Sequence, residues 1–218
     1  KLIRKMVGVN VTCPTWLSNE DNKETLREAY EFVISHFTHI NVLKTGGNIN
    51  KILEAAAALV LKLRQEGRNP RYLTLDPFNM LSIKGKFSGH EKIEEILRRL
   101  THFSHSMGIM VILVAHPFKM KKDEKTGEYE VPDFYSVKGS SALFEMSYHG
   151  LVVYRLPGRV LVRVLKVKQN NLGTKDAEAF FEYEKEPGRY IPIDIEGNEM
   201  QGDHRSKDWL EKSKQINN

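Results

Sequence analysis

The chain has 218 residues, of which 40% are apolar and 28% are charged. This composition is typical of a folded globular protein, excludes an intrinsically disordered one, and suffices for one ordinary domain. No apolar run reaches the roughly 18 residues that a membrane span needs, so we expect no membrane-embedded segment. A single cysteine, Cys13, excludes a disulfide within the chain and favours an intracellular protein, whereas the net charge of +5 permits but does not require a nucleic-acid partner.

The first half of the chain predicts alternating helices and strands. Apolar spacing indicates helices over residues 19–37, 49–65 and 88–108, with Asn48 and Ser88 as N-caps and Gly108 as a helix end. Short apolar stretches at 39–43, 72–75 and 109–115 predict strands, the last of them buried on both faces. Strand, helix and strand in this order form a βαβ unit, so we expect an α/β fold with a parallel sheet.

The second half begins with a long charged segment at 116–138, which predicts a functional or mobile loop. Apolar or alternating stretches at 151–155, 159–168 and 178–184 predict strands that finish the sheet as hairpins. We expect one domain over residues 1–195 and a polar tail over 196–218.

Polar side chains follow two of the predicted parallel strands. Asp76 comes directly after 72–75, and His116 directly after 109–115. Ligands of open parallel sheets bind outside the carboxyl ends of the strands, so a carboxylate and an imidazole at these positions indicate a ligand site. The alternative is that Asp76 only caps the following turn, since Asp-Pro is common in turns.

Four motifs occur in a suitable order: "YLTLDPFNML", "VILVAHPFKM", "DFYSVKGSSALFEMSYHGLVVYR" and "VLKVKQNNLG" with its following "FFEYE". In this combination the chain resembles the motor domain of hexameric replicative DNA helicases, most closely the phage primase-helicases related to Twinkle and DnaB. The resemblance runs from about residue 49 to residue 193. It implies a RecA-like P-loop NTPase fold and an ATP-driven enzyme that translocates on single-stranded DNA as a ring, in the cytoplasm of a bacterial or phage-infected cell.

The resemblance also implies roles for individual residues. Asp76 would hold Mg²⁺ through water, and His116 would sense the γ-phosphate of ATP. The residues that would face single-stranded DNA are Lys138, Gly139, Ser140 and Ser141. The residues that would lie near the nucleotide or reach a neighbouring subunit's ATP are Arg155, Lys166 and Lys168, although Lys168 stands where the family carries arginine.

Local alternatives remain for two of these segments. The glycine and serines at 139–141 also suit a turn before a helix, and lysines on 159–168 also suit an edge strand that is protected against aggregation.

The phosphate-cradling motif G-x-x-x-x-G-K-[ST] does not occur in the sequence, and no glutamate before Asp76 suits the family's catalytic position. The simplest account is that the chain starts downstream of both motifs and by itself hydrolyses little or no ATP. Two other functions stay open. One is a RecA-like recombinase-type ATPase, and the other is a non-catalytic DNA-binding or ring-scaffolding subunit.

Overall fold

The computed structural model describes residues 11–40, 46–118, 129–137, 139–185 and 188–200, together with the single positions 3, 7, 120, 122 and 127. The chain divides into two compact units. The first comprises Lys1–Thr38, Val153–Arg163 and Ala177–Asn218, and the second comprises His39–Val152 and Val164–Asp176.

The first unit contains helix α1 (Pro14–Leu17) and helix α2 (Glu20–His36). Asn19 begins α2 as predicted, because its side-chain oxygen accepts the Asp21 N–H at 2.9 Å. The helix buries Ala29 completely, but Tyr30, which the periodicity assigned to the same face, is 54% exposed. Helical spacing therefore located α2 correctly and overestimated its buried face.

The second unit is built on helix α3 (Ile49–Gln65) and strand β1 (Tyr72–Leu75). Asn48 caps α3 by accepting the backbone N–H groups of Asn50 and Lys51 at 3.1 and 3.3 Å. These two elements have the predicted boundaries because each is bounded by local signals: an N-cap before the helix, and the Asp76-Pro77 pair after the strand.

Helix α4 (Gly89–Met107) and strand β2 (Met110–Leu113) complete the βαβ unit. A capping box joins Ser88 and Glu91 at the start of α4, and Gly108 ends the helix in the left-handed conformation. Strands β1 and β2 pair in parallel, with Leu75 opposite Leu113. The predicted parallel arrangement is thus confirmed for these two strands.

The core of the second unit lies between the parallel strands and the helices. Its buried members are apolar residues of α3, β1, α4 and the segments between them, with two from a later helix: Ile49, Ile52, Leu75, Phe78, Ile83, Ile93, Ile96, Leu97, Leu100, Ala142 and Leu143. Leu73, Val111 and Leu113 pack against this cluster from one face of the strands. This packing holds β1 and β2, which Asp76 and His116 follow, against the helices.

The remaining described elements are a 3₁₀-helix (Phe134–Ser136), helix α5 (Ser140–Met146) and strands β3 (His149–Leu156), β4 (Arg159–Val167), β5 (Glu178–Glu184) and β6 (Arg189–Ile193). The four strands form a sheet in the order β3-β4-β5-β6. Pairing of β4 with β5 and of β5 with β6 is antiparallel.

Three expectations need correction. The stretch 109–115 is not buried on both faces: β2 covers only Met110–Leu113, and Met110, opposite Tyr72 on the outer face, is 53% exposed. The hairpin strands do not extend the parallel pair among the described residues but form their own sheet. Strand β6 was not predicted, because Pro192, its fourth residue, weakens the strand pattern; proline is tolerated there since β6 ends the sheet order.

Two further expectations concern residues outside this description. The strand predicted at 39–43 falls largely on the undescribed residues 41–45, and most of the predicted tail lies beyond residue 200. The division into a domain over 1–195 and a tail stays a prediction. None of the described helices is long and apolar enough to cross a membrane.

Candidate functional site

Asp76 and His116 lie at the same edge of the parallel pair. Asp76 follows β1 directly, and the Leu75 carbonyl accepts the Val114 N–H at 2.9 Å. The Phe78 N–H then donates to the Val114 carbonyl at 2.7 Å, so the two segments remain hydrogen-bonded beyond the ends of the strands. Asp76 therefore directly follows β1, whereas His116 comes three residues after the end of β2 instead of directly after it.

Both side chains at this edge are exposed. Within the described residues, no group donates a hydrogen bond to the Asp76 carboxylate or forms an ion pair with it. The 3₁₀-helix Phe78–Met80 that follows has no side-chain cap. Asp76 thus does not cap the following turn, and no described side chain occupies its carboxylate.

The chemistry of this edge fits a magnesium ion held mainly by nucleotide and water. No cluster of three or more His, Cys, Asp or Glu side chains that could hold a metal occurs among the described residues. Mg²⁺ in nucleotide sites commonly takes one carboxylate, several waters and phosphate oxygens. The single exposed carboxylate of Asp76 meets that requirement, whereas the backbone cradle for the phosphates has no counterpart in the sequence.

The side-chain amine of Lys166 is bound by residues of helix α5 in the same chain. Its Nζ donates to the carbonyl of Phe144 and lies 3.5 Å from the Glu145 carbonyl oxygen, and it stands 4.5 Å from the centre of the Phe144 ring. Burial, helped by the nearby charge of Lys168, lowers the pKa of Lys166 below its usual range. The amine therefore occupies the carboxyl end of α5, where unpaired carbonyls attract a cation.

Lys168 is exposed and rests on an aromatic ring. Its Nζ lies 4.5 Å from the centre of the Tyr148 ring, and its backbone N–H donates to the Tyr148 carbonyl at 2.9 Å. The Tyr148 hydroxyl lies 3.5 Å from His105 Nε2 on α4. Strand β4, which carries Lys166, lies between β3 and β5. The edge-strand explanation of the lysines is therefore wrong.

Arg155 lies on β3, in the portion that belongs to the first unit, and its side chain is exposed. No interaction of the guanidinium with another described residue is present. Its predicted role near the nucleotide or an interface stays a prediction.

The glycine-serine segment is a helix start. Gly139 adopts φ +77° and is the N-cap residue of α5, whose first residues are Ser140 and Ser141. The Ser141 hydroxyl lies 3.1 Å from His90 Nε2 on α4. Lys138 and the side chain of Ser140 lie outside the described residues. A turn before a helix is thus present, and it leaves the Ser141 hydroxyl on the surface.

Sequence reasoning missed the residues that hold these groups. The ring of Phe144 contacts the amine of Lys166, and the ring of Tyr148 contacts that of Lys168. His90 contacts Ser141, which lies 51 positions later in the sequence. The four-residue spacing of the two aromatic residues was the only available signal, and such spacing usually indicates a buried helix face.

Comparison with known proteins identifies similar molecules. No family model matches the chain. The chain is 26% identical over 137 residues to the DNA helicase/primase of Enterobacteria phage T3, a match that covers 60% of this chain and 24% of that protein. The chain thus spans about a quarter of the length of this curated relative.

Solved structures show the same fold. The ATPase domain of one DnaB-like helicase superposes with a TM-score of 0.65 at 16% identity, covering 88% of this chain and 69% of that one. A second DnaB-like replicative helicase, whose structure addresses its interactions with primase, gives a TM-score of 0.61 at 14% identity, covering 88% of this chain and 47% of that one. These similarities confirm the resemblance inferred from the motifs. The chain therefore has the RecA-like α/β fold of DnaB-like helicase ATPase domains and a sequence related to a phage helicase/primase.

Proposed function

We propose that this chain is part of an ATP-dependent replicative DNA helicase of the phage primase-helicase type, which translocates on single-stranded DNA and unwinds duplex DNA. The observation that carries the proposal is the pair of exposed polar side chains, Asp76 and His116, which follow adjacent parallel strands in a helicase-type fold. Packing does not require polar groups there, whereas nucleotide chemistry does.

Asp76 would hold a water of the Mg²⁺ ion that accompanies ATP. When bound, that ion neutralises charge on the β- and γ-phosphates. The contribution of the protein is to keep the carboxylate exposed and fixed at the strand end. His116, on the neighbouring strand, would hydrogen-bond the γ-phosphate and transmit its presence to the segment that follows.

Single-stranded DNA would bind at the glycine-serine segment. Gly139 lets the backbone approach phosphates, the Ser141 hydroxyl supplies a hydrogen-bonding group, and Lys138 and Ser140 would add charge and a second hydroxyl.

Lys166 and Lys168 would reach the nucleotide of a neighbouring copy in a ring, proposed to be hexameric and to work in the cytoplasm of a bacterial or phage-infected cell. Both amines would have to leave the aromatic rings on which they rest here. A lysine at 168 delivers a point charge rather than the two-pronged contact of arginine, so we expect weaker transition-state stabilisation than an arginine would give.

DNA-stimulated ATP hydrolysis by the full-length product of the native reading frame tests the proposal. We expect Asp76→Asn to reduce the hydrolysis rate at least about a hundredfold, as the loss of a magnesium partner does in such sites. Asp176→Asn is the matched control, because Asp176 is exposed on the surface and asparagine tolerates its φ of +62°. An unchanged rate in Asp76→Asn, or no DNA stimulation in the parent protein, would contradict the proposal.

The lack of a phosphate-cradling loop in these 218 residues favours one alternative, a non-catalytic DNA-binding or ring-scaffolding subunit. That function predicts salt-sensitive binding to single-stranded DNA that does not respond to nucleotide. Added Mg²⁺ and ATP would strengthen or weaken DNA binding only if the helicase proposal holds. A recombinase-type ATPase would hydrolyse ATP but would not unwind a forked duplex processively.

A further inference from the structure

Ser141, the one serine of the glycine-serine segment whose side chain the structure describes, is connected to helix α4 by two consecutive polar contacts. Its Oγ lies 3.1 Å from His90 Nε2, and His90 Nδ1 lies 3.3 Å from Glu94 Oε1. His90 and Glu94 are one helical turn apart, so the carboxylate lies directly behind the imidazole. The hydroxyl is therefore held by a ring whose orientation a second residue fixes.

The same turns of α4 also hold the backbone of the segment. An added Cβ at Gly139 would lie 2.6 Å from Ile93 Cδ1 and 2.8 Å from Ile93 Cγ2, so the glycine is in close contact with α4. The beginning of α4 is fixed in turn by its capping box, in which the Ser88 N–H donates to Glu91 Oε2 at 2.8 Å. The first turns of α4 thus form a platform for residues 139–141.

We propose that His90 is a positioning residue for DNA binding, which holds and orients the Ser141 hydroxyl with Glu94 as its support. This inference rests on the proposed function, because it assumes that the segment 139–141 faces single-stranded DNA. It adds a residue of α4, 51 positions away, to that binding surface.

The protonation state of His90 sets the direction of the hydrogen bond. The Glu94 carboxylate only accepts, so Nδ1 carries a proton and a neutral imidazole leaves Nε2 as an acceptor for the Ser141 O–H. A protonated imidazole donates from Nε2 to Ser141 Oγ instead. The serine proton is then free to donate to a phosphate oxygen of DNA. We therefore expect tighter DNA binding when His90 is charged.

Two carboxylates of the described residues face His90. They are Glu94 and Glu91, both on α4. Hydrogen bonds from Ser88 lower the pKa of Glu91, and the positive charge of His90 adds to that lowering. From α5 the described neighbour is Ser141, which carries no charge.

The Ser-His-Glu order resembles the catalytic array of serine hydrolases, but the surroundings do not suit that chemistry. The side chains of His90 and Glu94 are 57% and 44% exposed, so water competes for every contact in the array. Activation of a serine nucleophile needs a site from which water is excluded, and this array is not shielded in that way. It suits contact with a solvated phosphate backbone.

Fluorescence anisotropy of a labelled oligothymidylate with the 218-residue chain tests the inference. We expect His90→Ala and Ser141→Ala each to weaken binding about three- to tenfold, the range of one hydrogen bond. Because both changes remove the same contact, the double variant should bind about as weakly as either single variant. His102→Ala, an exposed histidine further along α4, is the matched control and should bind as the parent does.

His90→Gln separates positioning from mere structural support. A glutamine amide can donate to Ser141 Oγ at every pH, so we expect binding within about twofold of the parent at pH 6. Urea unfolding of each variant checks that the protein remains folded.

The outcomes distinguish the inference from the proposal beneath it. If the parent chain does not bind the oligonucleotide, the DNA-binding part of the proposed function fails and this inference fails with it. If the parent binds and His90→Ala binds equally well, the inference fails and the proposed function stands. Equal weakening by His90→Ala and His90→Gln in folded proteins would also overturn it.

Discussion

Replacement of Gly139 by alanine probes the contact between the glycine-serine segment and α4. Gly139 has φ +77°, a conformation that residues with a Cβ rarely adopt. The added methyl would also lie 2.6 Å from Ile93 Cδ1, well inside van der Waals contact. Ile93 is buried in the core of the second unit, so its side chain cannot simply turn into solvent.

Two separate costs contribute to the expected loss of stability. The left-handed conformation costs alanine about 1–2 kcal/mol. Insertion of a methyl group into a packed site typically costs about 1–3 kcal/mol. Alanine restricts the unfolded chain and so returns about 0.4–1 kcal/mol. The sum is a loss of about 1–5 kcal/mol for Gly139→Ala.

Gly67→Ala is a matched control for the backbone part of this loss. Gly67 has the same φ of +77°, and no atom lies within 4 Å of the position that an added Cβ would take. It therefore incurs the conformational cost and the entropic gain, but no clash. The difference between the two variants should be about 1–3 kcal/mol and should report the Ile93 contact alone.

The assay is urea unfolding followed by far-ultraviolet circular dichroism, with Ile93→Ala and the Gly139→Ala, Ile93→Ala double variant completing a cycle. Ile93→Ala alone should cost about 2–5 kcal/mol, but it removes the two Ile93 atoms that would lie 2.6 and 2.8 Å from the new methyl. Gly139→Ala should then cost no more in the double variant than Gly67→Ala costs in the parent. Equal losses for Gly139→Ala and Gly67→Ala in the parent would refute the close approach of Ile93.

Three further changes test other contacts by urea unfolding. Ser88→Ala should cost about 1 kcal/mol at pH 7 through loss of the cap. Ser88 hydrogen bonds lower the pKa of Glu91, so their contribution is present above the ordinary value of 4.5 and is lost as the pH falls through the lowered pKa. The cost of Ser88→Ala should therefore shrink at acid pH. Arg99→Lys should cost up to about 1 kcal/mol, because Arg99 of α4 donates to Asn50 of α3 and lysine lacks the planar fork. Burial lowers the pKa of Lys166 and so disfavours its charged form in the folded protein, which means that stability should rise as the pH approaches 10.5, and Lys166→Met should lack that rise.

Local signals in the sequence determined the helices and the ends of the parallel strands. Asn48 and Ser88 bond to backbone groups two or three positions away, and Gly108 needs only its own φ, so these boundaries depend on neighbours in sequence. Asp76 and His116 could be predicted for the same reason, because the carboxyl end of a parallel strand is defined by the strand itself.

The tertiary structure decided which faces are covered and which distant groups meet. A continuous apolar run such as 109–115 does not reveal whether helices cover one face of the strand or both. In this fold Met110 is exposed to solvent, whereas Val111 packs against the core. Lys166 contacts Phe144, which is 22 positions away in sequence, and Ser141 contacts His90, which is 51 positions away. Such contacts depend on how helices α4 and α5 pack, a property that no local pattern encodes. The sequence therefore indicated the groups that we propose to meet a nucleotide, and only the packing of the chain showed what holds the groups proposed to meet DNA.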